Sequence, residues 1–158
     1  MINWTYDSSA YSKQDFTPIP EGAYRVRITK AEEGISKSSG YQMITLTLEV
    51  NGYKKRPVLD WVVFNNSDAD AIQKTNQKVG RIFDSFQIKP NDYDLTHWEG
   101  KDGGAYIVVR DEEYQGQKRK QNRIVNYLIR EKVEELPFWE GIVSDEGVNF
   151  DDPDSLPF

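Results

Sequence analysis

A chain of 158 residues has the length of one domain and is long enough to bury a core. It contains no cysteine, which excludes disulfide staples and thiolate metal sites and fits a reducing compartment. No apolar run approaches a membrane span, and Met1-Ile2-Asn3-Trp4 lacks the basic and apolar regions of a signal peptide, so a cytoplasmic protein without membrane contact is expected. The net charge of −6 argues at first against a nucleic-acid ligand. Its distribution reverses that: all 8 acids from Glu134 onward follow the last base, Lys132, leaving 20 bases against 18 acids in residues 1–132. A mildly basic body with an acidic end is the informative asymmetry. Aromatics make up 13%, more than one small core needs, which leaves rings for the surface where they could stack on a ligand.

Residues 1–19 show no period and form an N-terminal arm. Pro18, Pro20 and Gly22 punctuate the entry to a first strand, Ala23 to Ala31. Tyr24, Val26 and Ile28 share one face of it and Arg25, Arg27 and Thr29 the other. Arg25 and Arg27 are a candidate phosphate-contacting row; the alternative is a solvated face. Residues 32–42 read as a loop carrying Lys37 and Tyr41, and residues 43–50 as a second strand with Ile44, Leu46, Leu48 and Val50 inward. Asn51-Gly52 predicts a type I′ hairpin turn with positive φ at both positions. Tyr53, Lys54, Lys55 and Arg56 follow it. Residues 58–64 are so apolar that both faces of this third strand are expected to be covered, and the pattern leaves open which face carries Trp61.

Helical spacing runs from Ser67 to Gln87, with Ile72, Val79, Ile82, Phe83 and Phe86 as the apolar stripe and Ser67 and Asp70 as a capping-box-like start. Residues 88–104 read as a loop, Ala105 to Arg110 as a fourth strand, 111–117 as a turn containing Tyr114, and Lys118 to Ile129 as a fifth strand. Five strands with one helix between the third and fourth is the OB-fold order. The expected class is mainly β: a five-stranded antiparallel OB-fold barrel over residues 20–132, followed by a disordered acidic tail over 133–158.

No catalytic signature survives inspection. His97 is the only histidine, so it cannot supply a His-ligated zinc site. Gly34 and Gly40 lie at the wrong spacing for a phosphate loop, and Tyr41-Gln42 stand where Lys and Ser/Thr are required. A calcium loop starting at Asp92 would need Gly at His97 and Glu at Gly103. Asp60, in an apolar strand, reads as a structural acid bonded to backbone or arginine. A non-enzymatic protein without metal or cofactor is expected.

Binding of single strands needs bases along the phosphates and aromatic faces for stacking. Both recur at the predicted loops: Lys37 with Tyr41; Tyr53 with Lys54, Lys55 and Arg56; and Tyr114 leading into Lys118, Arg119, Lys120 and Arg123. With Arg25, Arg27 and Trp61 these are the candidate DNA-binding residues.

Two resemblances add to this. Asp151-Asp152-Pro153-Asp154-Ser155-Leu156-Pro157-Phe158 resembles the C-terminal tip of bacterial single-stranded DNA-binding proteins, a run of aspartates before Ile-Pro-Phe; here Leu156 replaces Ile, and Pro153 and Ser155 interrupt the acids. Pro20-Glu21-Gly22-Ala23-Tyr24-Arg25-Val26-Arg27-Ile28, with Ser36-Lys37-Ser38 and Met43 to Val50, is similar to a family of small proteins of phage replication and recombination modules. The resemblances imply a phage-encoded binder of single-stranded DNA in an infected bacterial cytoplasm. Asp151, Asp152, Asp154, Leu156, Pro157 and Phe158 would engage replication or recombination proteins of host or phage, and self-association is open. The alternatives are a protein-interaction adaptor without DNA binding, supported by the body's modest charge, and a nuclease subunit, supported only by scattered acids.

Overall fold

Alternation of apolar and polar residues dictates the sheet. In β2 (Gln42–Val50), Ile44, Leu46, Leu48 and Val50 are buried while Thr45, Thr47 and Glu49 stay partly open, the period of a strand with one face on a core. β1 (Gly22–Ile35) pairs along this strand and on its other side with β4 (Asp102–Tyr114); β3 (Tyr53–Val63) flanks β2, and β5 (Gln117–Tyr127) flanks β4. The computed structural model describes residues 1–8 and 18–140. Among them the protein is mainly β: one open five-stranded sheet in the order β3-β2-β1-β4-β5, every paired neighbour antiparallel, with α1 (Ala69–Phe86) between the third and fourth strands.

The first strand is longer than its expected end at Ala31. An irregularity between Ile28 and Lys30 lets Glu32–Ile35, expected as loop, continue opposite Thr45–Gln42. β4 likewise extends to Tyr114, and the turn shrinks to Gln115-Gly116. The register explains it, since Asp111, Glu112 and Glu113 stand opposite Lys120, Arg119 and Lys118. Facing opposite charges stabilise a ladder that apolar content alone does not predict. Positive φ at both Gln115 (51°) and Gly116 (78°) is the pattern expected at Asn51-Gly52; at the latter only Gly52 is positive, at 88°.

α1 begins one residue later than Ser67 suggests. Asp68 is its cap, accepting a hydrogen bond from the Ala71 N–H at 2.7 Å. Val79, Ile82, Phe83 and Phe86 are buried as expected, whereas Ile72 is exposed. The helix docks tightly on β4: a Cβ on Gly103 would lie 2.7 Å from Ser85 Oγ, which bonds the Gly104 N–H and carbonyl at 2.9 and 3.1 Å. The loop after α1 carries a short 3-10 turn, Leu95–His97, and the fully buried Trp98, whose indole N–H donates to Asp92 O at 2.7 Å.

Both ends of the body are knitted in further than their sequence implies. Ile19, placed in the arm, is fully buried, and the Asn122 amide bonds its N–H and carbonyl at 2.8 and 2.9 Å. Residues 133–140, placed in the tail, include the last two residues of α2 (Arg130–Glu134) and a strap reaching Glu140, with Val133 and Trp139 buried.

β3 corrects one expectation. Only one of its faces is covered: Val58, Asp60 and Val62 point inward, while Leu59 and Trp61 are 41% and 36% exposed on the outer face. Asp60 takes the structural role expected of it, with different partners. Its carboxylate accepts from Tyr127 Oη of β5 at 2.6 Å and from Lys78 Nζ of α1 at 3.2 Å. Burial, then the Asp60 charge, push the Tyr127 hydroxyl pKa well above its ordinary value, so it stays a donor.

Two predictions follow from these contacts. Tyr127→Phe removes a buried hydrogen bond to a charged acceptor and should cost about 1.5–3 kcal/mol, read from denaturant midpoints; an unchanged midpoint would mean that the bond contributes nothing. His97 Nδ1 lies 2.7 Å from Asp92 Oδ2, which raises the imidazole pKa and lowers that of Asp92. The His97 contribution to stability is complete below the ordinary imidazole value and is lost as pH rises through the raised one; the Asp92 contribution is lost as pH falls through its lowered value. NMR titration should place His97 above the ordinary imidazole pKa, and Asp92→Asn should bring it back; a His97 value insensitive to Asp92→Asn would rule the pairing out.

Candidate nucleic-acid interface

β3 and β5 are the two edges of the sheet, and the direction of each strand follows from the antiparallel pairings: the two run the same way and face each other. Asp60 and Tyr127 join them at one end. Towards the other end they diverge around a groove of about 820 Å³. Lys55 and Arg56 line it from β3; Arg119, Lys120 and Arg123 line it from β5. Pro57, Val58 and Leu59 supply an apolar wall, and Pro18 closes one side. Among the described residues no carboxylate lines it. Five bases around a partly apolar trough attract a polyanion and tolerate rings laid against the wall.

Trp61 stands further along β3 on the outer face. The Arg123 guanidinium lies 5.4 Å from the centroid of its ring. Arg123 is held in turn by both carboxylate oxygens of Glu112, with Nε at 2.8 Å from Oε2. This fork-on-fork contact fixes the guanidinium plane, and the cation–π contact fixes the indole beside it. The position that the sequence left open is therefore settled: Trp61 is a surface ring at the head of the basic groove.

The other sequence-predicted residues divide. Lys55, Arg56, Arg119, Lys120 and Arg123 come together. Lys54 and Lys118 are exposed at the two neighbouring hairpins without lining the groove, and of Tyr114 only its backbone place opposite Gln117 is described. Tyr53 turns away: its ring packs edge-on against Tyr24 at 5.8 Å, at the margin of the core. Lys37 and Tyr41 sit in the β1–β2 loop beside Phe64, at the far end of β3 from Lys55. The β1 arginine row is not a phosphate row. Arg25 is 5% exposed; it donates to Pro137 O at 2.9 Å, pairs with Asp102 at 3.6 Å and lies 5.2 Å from the Phe138 ring. Arg27 lies 4.3 Å from the Trp139 ring. Asn51 clamps the strap with bonds to Phe138 O and Glu140 N at 2.8 and 2.7 Å. A chain segment more than a hundred residues away covers these arginines, and strand alternation carries no sign of it. Asp151, Asp152, Asp154, Leu156, Pro157 and Phe158 lie outside the described residues.

The reading of the sequence missed the apolar wall. Pro57 was the available signal, because proline inside a strand marks a sheet edge, and from it the period of two predicts an outward row Lys55, Pro57, Leu59, Trp61. Among the described residues no group of His, Asp or Glu is placed to hold a metal ion, and no helix is long and apolar enough to cross a membrane.

Residues 4–96 match the family described as Protein of unknown function (DUF669), more than half of the chain. The chain belongs to that family. No curated protein matches the sequence. The matched stretch holds β1 to β3 and α1, hence Lys55 to Trp61, and ends before β4 and β5, so the β5 side of the groove lies beyond it.

Proposed function

We propose that this DUF669 protein binds single-stranded DNA without sequence preference and without catalysing a reaction, coating the strand and recruiting replication or recombination proteins through residues 151–158. The observation that carries the reading is the groove between β3 and β5, lined by no acid among the described residues, with five bases along it and Trp61 at its head. Lys and Arg along a trough answer the phosphates, and an exposed indole offers a face to any base. We read the curled sheet as an OB-type barrel. Support comes from the strand order, from the parallel course of β3 and β5 across the seam, and from the helix between β3 and β4. The resemblance of the N-terminal half to phage replication-module proteins, and of residues 151–158 to the tip of bacterial strand-binding proteins, supports a site of action in the cytoplasm of an infected bacterium.

The full chain should bind labelled oligo-dT and lose affinity with rising salt, by about 0.7 in log affinity per log salt for each phosphate neutralised. Changing Lys55, Arg119 and Lys120 together to Ala should reduce that slope by about 2, and Trp61→Ala should remove oligonucleotide quenching of tryptophan fluorescence at a cost of roughly 1–3 kcal/mol in binding. Equal affinity for duplex, indifference to salt, or magnesium-dependent loss of the oligonucleotide would each refute the proposal.

The recruiting role has its own test. Deleting 151–158 should leave oligo-dT affinity unchanged, or higher at low salt where its aspartates are least screened, and should abolish capture of bacterial replication proteins. A truncated chain that captures them as before would place recruitment elsewhere.

A further inference from the structure

We propose that single-stranded DNA leaving the β3–β5 groove continues past Trp61 into a second cleft, between α1 and β5, where Lys74 and Arg81 hold its phosphates. This rests on the reading of the groove as a strand-binding site and extends it to a helix that does not line the groove.

The observation is a cleft of about 280 Å³ whose α1 side is Lys74, Gln77, Lys78 and Arg81 and whose β5 side includes Val125 and Asn126. Spacings of four and seven residues put Lys74, Lys78 and Arg81 on one helix edge. Among the described residues no acid lines this cleft. The bases therefore face a trough holding two side-chain amides and one exposed aliphatic group, the same chemistry as the groove.

The β5 wall is shaped for exposure. The pairing of β4 with β5 shifts at Tyr106/Ile107, so that Tyr106 opposes Asn126, Ile107 opposes Ile124, and Val125 is left over. A bulge of this kind re-aims side chains out of a strand, and Val125 is accordingly 52% exposed. Core packing gives no reason for an extra valine to face outward on an edge strand; a base laid over the cleft does.

Continuity with the groove is direct. The groove ends at Arg123 and the cleft begins at the next residue of the same strand, Ile124. Trp61 sits at the junction, under Arg123 on one hand and on the other sharing a shallow depression with Lys74 and Lys78, whose far side carries Asp68 and Asp70. Lys78 is the pin: its ammonium is spent on Asp60 and on the Trp61 carbonyl, at 3.2 and 2.8 Å. Lys74 pairs with Asp70 at 3.1 Å, but both side chains are about three-quarters exposed, and a pair of that kind is weak enough for a phosphate to replace the carboxylate. Arg81 has no acidic partner among the described residues. From Lys74 to Arg81 the helix rises about 10 Å. At roughly 3.4 Å per stacked nucleotide that length accommodates two or three nucleotides beyond the groove.

The test measures affinity of the full chain for oligo-dT of increasing length, at two salt concentrations, for the wild type, Lys74→Ala with Arg81→Ala, and Gln77→Glu. The last variant removes no packing contact and only adds a negative charge at an exposed position, so it remains informative if the double variant is less stable. Expected are equal affinities for the shortest oligonucleotides that bind and a divergence at longer ones, where the wild type gains several-fold and neither variant does. The salt slope for long oligo-dT should fall by about 1.4 in the double variant, the amount for two phosphates. Variants that track the wild type at every length overturn the extension and leave the groove standing. A wild type that binds no oligonucleotide overturns the groove reading and this one together.

Discussion

Asp60 sits towards the end of an edge strand with its carboxylate turned inward, where an ionised group is costly unless it is fully partnered. The partners are a tyrosine hydroxyl from the opposite edge strand and a lysine from the helix, so one carboxylate ties β3, β5 and α1 at a point where no backbone ladder joins them. Removing a single partner would leave a buried charge or a buried hydroxyl unanswered, so the three side chains act as a unit. This tie sets the spacing of the two edges. Beyond it, towards Lys55 and Lys120, no ladder joins the edges, and the groove lies between them.

The charges around the groove are arranged by the same logic of partnering. The β4–β5 hairpin carries bases on one strand and acids on the other, in register, so a cluster that would repel itself becomes a stable ribbon. Arg119 and Arg123 share a second depression with Glu112 and Glu113 on the flank of the ribbon, while Lys120 with Arg119 and Arg123 also lines the groove. Glu112 does the most specific part of this. By taking the guanidinium of Arg123 it gives up a possible phosphate contact and in exchange orients the cation that lies against Trp61. An arginine counted as a phosphate ligand is thus better described as a positioning residue for the indole.

How far the sequence disclosed this structure can be followed residue by residue. The strand β2, the helix, and the order of elements were legible because burial imposes a period of 2 or 3.6 on local sequence, and Ile44 to Val50 and Val79 to Phe86 keep that period. The lengths of β1, β3 and β4 were not, because all three are extended by pairing across strands, β3 starting at Tyr53 rather than Val58, and register is a relation between distant segments. The same limit explains the site. Lys55 and Arg119 read as bases at two separate hairpins, and nothing local says that they line one groove. Arg25 and Arg27 read as an outward row, and nothing local says that Pro137 to Trp139 returns to cover them. Trp61 remained ambiguous because an apolar strand hides its phase; Pro57, two turns of the pleat earlier, held the phase all along.

The strap itself constrains where a ligand can lie. Its aromatic rings rest on the guanidinium planes of β1, and its backbone is held by Asn51 of the β2–β3 turn, so the middle of the sheet's outer face is occupied by the protein's own chain. Cations buried against aromatic faces and bonded to carbonyls have little left to offer a phosphate. On the proposed function, a strand would therefore run along the seam between the two edge strands rather than across the centre of the sheet. The seam also brings bases, an exposed indole and apolar wall residues together, because an edge strand bears its outward side chains with no neighbour on one side to cover them. The feature that sheet proteins usually have to guard, an unpaired edge, is here converted by one buried carboxylate into the boundary of a charged channel.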